Sequence, residues 1–141
     1  VGLHRQVIEG LRTLYLGVAG VTAVVTYQDQ PAATPPFAVL HPGGRVIAPQ
    51  SGTLEYNTFS VPVHLCYRAA PIAEEVSQAI IDLGDAVLAH SRQHVNVCGG
   101  ETSQTLDRYD VGWARYEQQR YYALLLVHMV TAPLGVDYEA G

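Results

Sequence analysis

The 141-residue chain contains no lysine, and all eight of its Lys/Arg positions are arginine. Arginine codons are rich in G and C and lysine codons are not, so the bias fits a GC-rich coding sequence. Cysteine is scarce as well, with only Cys66 and Cys98. So few thiols, with no secretory segment ahead of them, do not indicate a disulfide framework. The opening residues lack the charged and apolar stretches of a signal peptide, so the cytosol, or a particle assembled there, is expected. No apolar run approaches the roughly 20 residues of a membrane span. Charge is thin too, at 15% of residues, with a net value of −5. The chain therefore lacks the basic footprint of a tight nucleic-acid binder. An acidic surface is nevertheless one past which DNA slides without sticking.

The motifs of common chemistries are also missing. There is no His-Glu-x-x-His, no Gly-x-Ser-x-Gly and no glycine loop ending in Gly-Lys-Ser/Thr. His64 and Cys66 lie two apart, and His90 and His94 four apart, but neither spacing completes a four-ligand zinc set. Cys66 reads as a small hydrophobe and the histidines as satisfied or surface polar groups. Glu74 and Glu75 are helix neighbours that point apart, so they read as a solvated helix start and not as a paired-acid site. "HPGGR" and "CGGE" read as turns. No catalytic residue, metal ligand or cofactor is nominated.

What is present is a regular pattern. At 48% hydrophobic residues the chain suits one domain, residues 1–141, with one core. Leu3, Val7, Leu11, Leu14 and Val18 recur at helical spacing and predict a first helix over 3–16, ended by Gly17 and Gly20. "VTAVVTY" predicts a strand over 21–27, and "FAVL" one over 37–40. Residues 42–54 hold few large side chains and read as a flexible loop. In "LEYNTFSVPVHLCYR", Phe59, Val61, Val63, Leu65 and Tyr67 alternate with more polar residues, which is a strand with one face on a core. Pro62 lies inside that strand and cannot donate to a ladder, which predicts an edge or projecting arm. A second helix runs to Gln93, with Pro71 at its first turn and a stripe of Ile72, Val76, Ala79, Ile80, Leu83 and Val87. "HVNVC" reads as a brief strand, residues 101–108 as a loop or edge, and 109–116 and 120–131 as two strands. "YYALLLVHMV" reads as a central strand covered on both faces, so Leu125 and Val127 join the expected core. Residues 133–141 read as a tail. The whole predicts an α+β domain of two layers, with a mostly antiparallel, mixed sheet packed against two helices.

Nine tyrosines against two phenylalanines suit surfaces where one end of a ring is buried and the other wet, as at subunit contacts. Tyr56, Tyr109, Tyr116, Tyr121 and Tyr122 lie on or beside predicted strands.

The order and spacing of these segments resemble the tail terminator, or tail completion, proteins of long-tailed bacteriophages. The resemblance is carried by the opening helix leading into "VTAVVTY", then "PPFAVL", "TFSVPVHLCYR", "PIAEEVSQAIIDLGDAVL" and the closing "YYALLLVHMVTAP". It covers most of the chain. It implies a virion protein at the top of the tail, assembled in the host cytoplasm. Copies would form a ring, usually a hexamer, that caps the tail-tube protein, stops its polymerisation and offers its other side to the head connector. Double-stranded DNA would pass through the hole without specific binding. No enzymatic activity is implied. Arg45, Val46, Ile47, Tyr56, Phe59, Pro62, Tyr109 and Tyr116 are then candidate contacts to a neighbouring subunit or the tube, with the tail from Pro133 as a second contact. Two other readings are a head-closure or head–tail joining neck protein, and a small ligand-binding α+β domain.

Overall fold

A computed structural model of the chain describes residues 2–26, 34–49, 54–69, 74–97, 102–116 and 118–135. They hold α1 (Leu3–Leu16), β1 (Ala23–Thr26), β2 (Phe37–Leu40), β3 (Gly44–Pro49), β4 (Leu54–Ala69), α2 (Glu74–Gln93), β5 (Ser103–Tyr116) and β6 (Gln119–Gly135). The strands make one six-stranded mixed sheet in the order β1-β2-β4-β6-β5, with β3 also paired to β4. The β1–β2 pair is parallel, and the other pairs are antiparallel. The α+β class is as expected, with more strand than the sequence suggested. Pro71, Cys98, the glycine turn at 99–100 and most of the expected tail lie outside the described residues.

β4 organises the sheet, and it is not an edge. Along one flank it pairs with β6 from Leu54 to Ala69. Along the other it pairs first with β3, up to Ser60–Gly44, and then with β2, from Val63–Leu40 onward. Pro62 falls in the gap between those two partners. Its carbonyl accepts the His41 N–H at 3.0 Å. A strand residue's N and C=O point to the same flank, so the proline nitrogen faces the β2–β3 turn. The missing donor therefore costs no bond to β6. Gly43, at φ 64°, completes that turn. A side chain there would begin 1.7 Å from the Ser60 carbonyl oxygen.

Three other expectations are corrected. Residues 44–49 belong to β3, because β4 outruns β2 and its free flank takes a partner. "HVNVC" forms no strand over 94–97. That segment crosses α1 at Gly10, where a Cβ would lie 2.1 Å from the Val97 carbonyl oxygen. Pro133, expected in the tail, is still within β6, opposite Tyr56. Residues 103–108, read as a loop or edge, open β5, which is an edge strand of the sheet.

One apolar cluster joins Val7, Leu11 and Leu14 of α1 and Ile80 and Val87 of α2 to Phe59, Val61, Val63 and Leu65 of β4 and Leu124, Leu126 and Val130 of β6. Val76 is buried, and Leu83 packs against the cluster half-buried. Leu125 and Val127 do not belong to it. They pair with His64 and Pro62 and share the opposite face of the sheet, where both are only half-buried. A strand's faces alternate, so a one-residue error in parity exchanges them.

The core also holds a polar chain that the sequence did not reveal. Gln104 donates its amide to the carbonyls of Ser91 (2.8 Å) and His94 (3.0 Å). Its Oε1 must then accept, and it takes the His128 Nδ1–H at 2.9 Å. That tautomer leaves Nε2 as an acceptor for the Tyr15 hydroxyl at 2.5 Å. The chain ties α1, β6, β5 and the end of α2 together with every donor assigned.

Burial pushes the His128 imidazole down to about 4. Above the ordinary histidine value of 6.5 both folded and unfolded states are neutral and stability is complete. Below it the unfolded chain takes up a proton that the fold refuses, so stability falls as pH drops from 6.5 towards 4. Urea titrations at pH 7 and pH 4 should differ by at most about 3 kcal/mol from this group. Replacing His128 by glutamine should flatten that part of the profile.

Candidate interaction surface

Away from the main apolar cluster, the sheet presents an opposite face, along which residues can be followed from the register. Val46 and Ala48 of β3, Tyr56, Thr58, Ser60 and Pro62 of β4, and Leu125, Val127, Met129, Thr131 and Pro133 of β6 share it. All are half-buried or exposed, and none is charged. Charge returns only at its border on β5, where Arg108 and Asp110 pair at 2.6 Å.

β3 extends this face outward. Every residue from Gly44 to Pro49 is exposed, Val46 at 67% and Ile47 at 53%, and Tyr56 beside them at 38%. Apolar side chains so open to water are the group most improved by a covering partner. β3 is held by Arg45, which lies 5.1 Å from the Phe59 ring centroid and donates Nε–H to Asn57 Oδ1 at 2.8 Å. That bond fixes the Asn57 amide so that its buried Nδ2 points into the protein, with no hydrogen-bond partner among the described residues. Phe59 itself is wholly in the core, so of the candidate contacts it cannot be offered to a neighbour.

Tyr109 and Tyr116 have work inside the chain. The Tyr109 ring lies against Gly84, and its hydroxyl donates to Asp85 at 3.1 Å. The Tyr116 hydroxyl lies 2.6 Å from His64 Nδ1 and 2.9 Å from His41 Nε2. It has one proton, so it donates to one ring and accepts from the other. This trio fastens the end of β5 to β2 and β4 above a second small apolar cluster of Phe37, Val39, Cys66, Ala114 and Ala123. Burial, and then His41, push His64 down to about 4. Burial lowers His41 and raises Tyr116. Cys66 is buried, and its thiol is pushed up to about 12, so it is not a ready nucleophile.

His90 and His94 stack with ring centroids 4.1 Å apart. They line a cleft of about 240 Å³ with Gly10, Thr13, Leu14 and Gly17 of α1. Among the described residues, no three His, Cys, Asp or Glu side chains gather as a metal set.

The register therefore puts Val46, Tyr56 and Pro62 on this face, with Tyr116 at its β2 end beside His64, whereas Arg45 and Ile47 lie on the other side of β3, beside Phe59 and Asn57, and Tyr109 lies on the core side against α2. The half-exposed Leu125, Val127 and Met129 were missed as surface residues. Their signal was weak, because nearly every residue of "YYALLLVHMV" is apolar and no alternation marks the open face. No protein-family model matches the chain, and no curated protein matches it.

Proposed function

We propose that the protein is a ring-forming virion component of the tail terminator kind, a two-layer domain whose helices cover one sheet face and whose neighbours cover the other. Copies cap the tail tube, end its growth and present the far side of the ring to the head connector. DNA crosses the hole without specific contacts. One observation carries this reading: the uncharged sheet face of β3, β4 and β6, continued by an exposed apolar strand. A face of that kind is suited to burial against other subunits or the tube. The acidic net charge of −5 suits a passage for DNA.

The exposed side chains of β3 test the reading without touching the core. The double variant Val46→Glu, Ile47→Glu should keep its secondary structure and melt within about 3 °C of the parent, since surface changes usually cost little. Added to polymerising tail tubes, it should fail to cap them, and electron micrographs should show overlong tubes. Tubes of ordinary length with this variant would count against β3 as the contact.

A further inference from the structure

The far end of the β5–β6 hairpin carries a feature that the fold does not require. Arg115 and Arg120 are direct cross-strand partners. Like charges placed opposite each other work against strand pairing. Next in register, Trp113 pairs with Tyr122, and Tyr122 pairs on its other side with Arg68. Three of the chain's eight arginines thus stand in register beside or next to these two aromatic residues. Arg120 Cζ lies 3.9 Å from the Trp113 ring centroid, and the Tyr122 ring lies 5.3 Å from it. Trp113 is 40% exposed, and all three arginines are exposed. Among the described residues, no carboxylate forms a salt bridge with any of the three; the bridges found there are Arg12–Glu9 and Arg108–Asp110.

Arginine, tryptophan and tyrosine packed together are the residues that dominate protein contacts. The stack of Arg120 on Trp113 also favours a protein partner over nucleic acid. The guanidinium already covers one face of the indole that a base would use, and it still directs donors outward to a carboxylate. The chain carries a complementary surface of its own. On α2, Ile81, Asp82 and Asp85 lie within about one turn and are exposed, Ile81 at 50%; Asp85 also accepts the Tyr109 hydroxyl through Oδ1, which leaves its other oxygen to a partner.

We propose that the Arg68–Arg115–Arg120 patch docks on the Ile81–Asp82–Asp85 face of a second copy of this chain. The inference rests on the ring reading, for which it names one contact. Two different surfaces meeting head to tail make a heterologous interface, the type that closes into a ring.

Charge exchange tests it. The variant Arg115→Glu, Arg120→Glu and the variant Asp82→Arg are made separately, with Asp85 kept because it holds the Tyr109 hydroxyl within the chain. Self-association is then measured by sedimentation velocity over a concentration series. Each variant alone should need about tenfold or more protein to associate as the parent does. Mixed in equal amounts, they should recover parental association, because each supplies the charge that the other lost. The variant Arg115→Gln, which removes only the like-charge pairing, should melt no lower than the parent and so shows that the patch is not needed for folding. Reversed variants that associate like the parent, a mixture that does not recover, or a parent that stays monomeric throughout the series would each overturn the contact. Loss of binding to a 30-base-pair duplex in Arg115→Glu, Arg120→Glu, with self-association unchanged, would assign the patch to phosphate and likewise overturn it. None of these results decides the ring reading, which the length of capped tubes judges independently.

Discussion

Replacing His128 with alanine is expected to lower folding stability by about 3–5 kcal/mol, measured by urea unfolding at pH 7. The imidazole is 0% exposed and bonded at both nitrogens. Its removal leaves the Tyr15 hydroxyl and Gln104 Oε1 without partners in the dry interior, each at a cost of about 1–3 kcal/mol. The vacated volume adds a cavity cost. Tyr15→Phe should cost less, about 1–2 kcal/mol, because it leaves only one lone pair unmatched. The order of the two variants is the informative result. If Tyr15→Phe proves the more damaging, the assigned direction of the hydrogen-bond chain is wrong.

Gly43→Ala is expected to cost about 2–5 kcal/mol, from the left-handed backbone together with a forced shift of the turn. The position has φ 64°, and a methyl group would begin 1.7 Å from the Ser60 carbonyl and 3.0 Å from Pro62 Cδ. Backbone cannot rotate away as a flexible side chain can. The turn must therefore lift from β4, loosening the His41 N–H bond to Pro62 and the first pair of β3. Hydrogen exchange should show lost protection at His41 and along β3 while α1 and α2 stay protected. Gly44→Ala is the control, because nothing lies within 4 Å of its Cβ position. Equal stability of the two variants would refute this account of the turn.

These two sites show where sequence reading succeeds and where it stops. The first helix was legible because Val7, Leu11 and Leu14 repeat at helical spacing on one buried face. The inward face of β4 was legible because Phe59, Val61, Val63 and Leu65 alternate with polar residues. Pro62 misled, since a proline in a strand suggests an edge. Only the three-dimensional gap between β2 and β3 explains how an interior strand accommodates it. β3 was hidden because "GRVIAP" has no buried face to impose a period, and its order comes from pairing with β4. His128 and Gln104 were hidden for the opposite reason. They are polar residues on the core side of β6 and β5, tolerated there because they satisfy each other. Of the candidate surface, Val46, Ile47 and Tyr56 were legible as a region, whereas the contribution of β6 depended on a parity that a uniformly apolar run does not encode.

The most direct test of the account is electron microscopy of tail tubes assembled from the cognate tube protein with and without this chain. The account predicts tubes of uniform length ending in a ring when the protein is present, and overlong, open-ended tubes when it is absent. Tubes of the same length distribution in both samples, with no ring at either end, would contradict it.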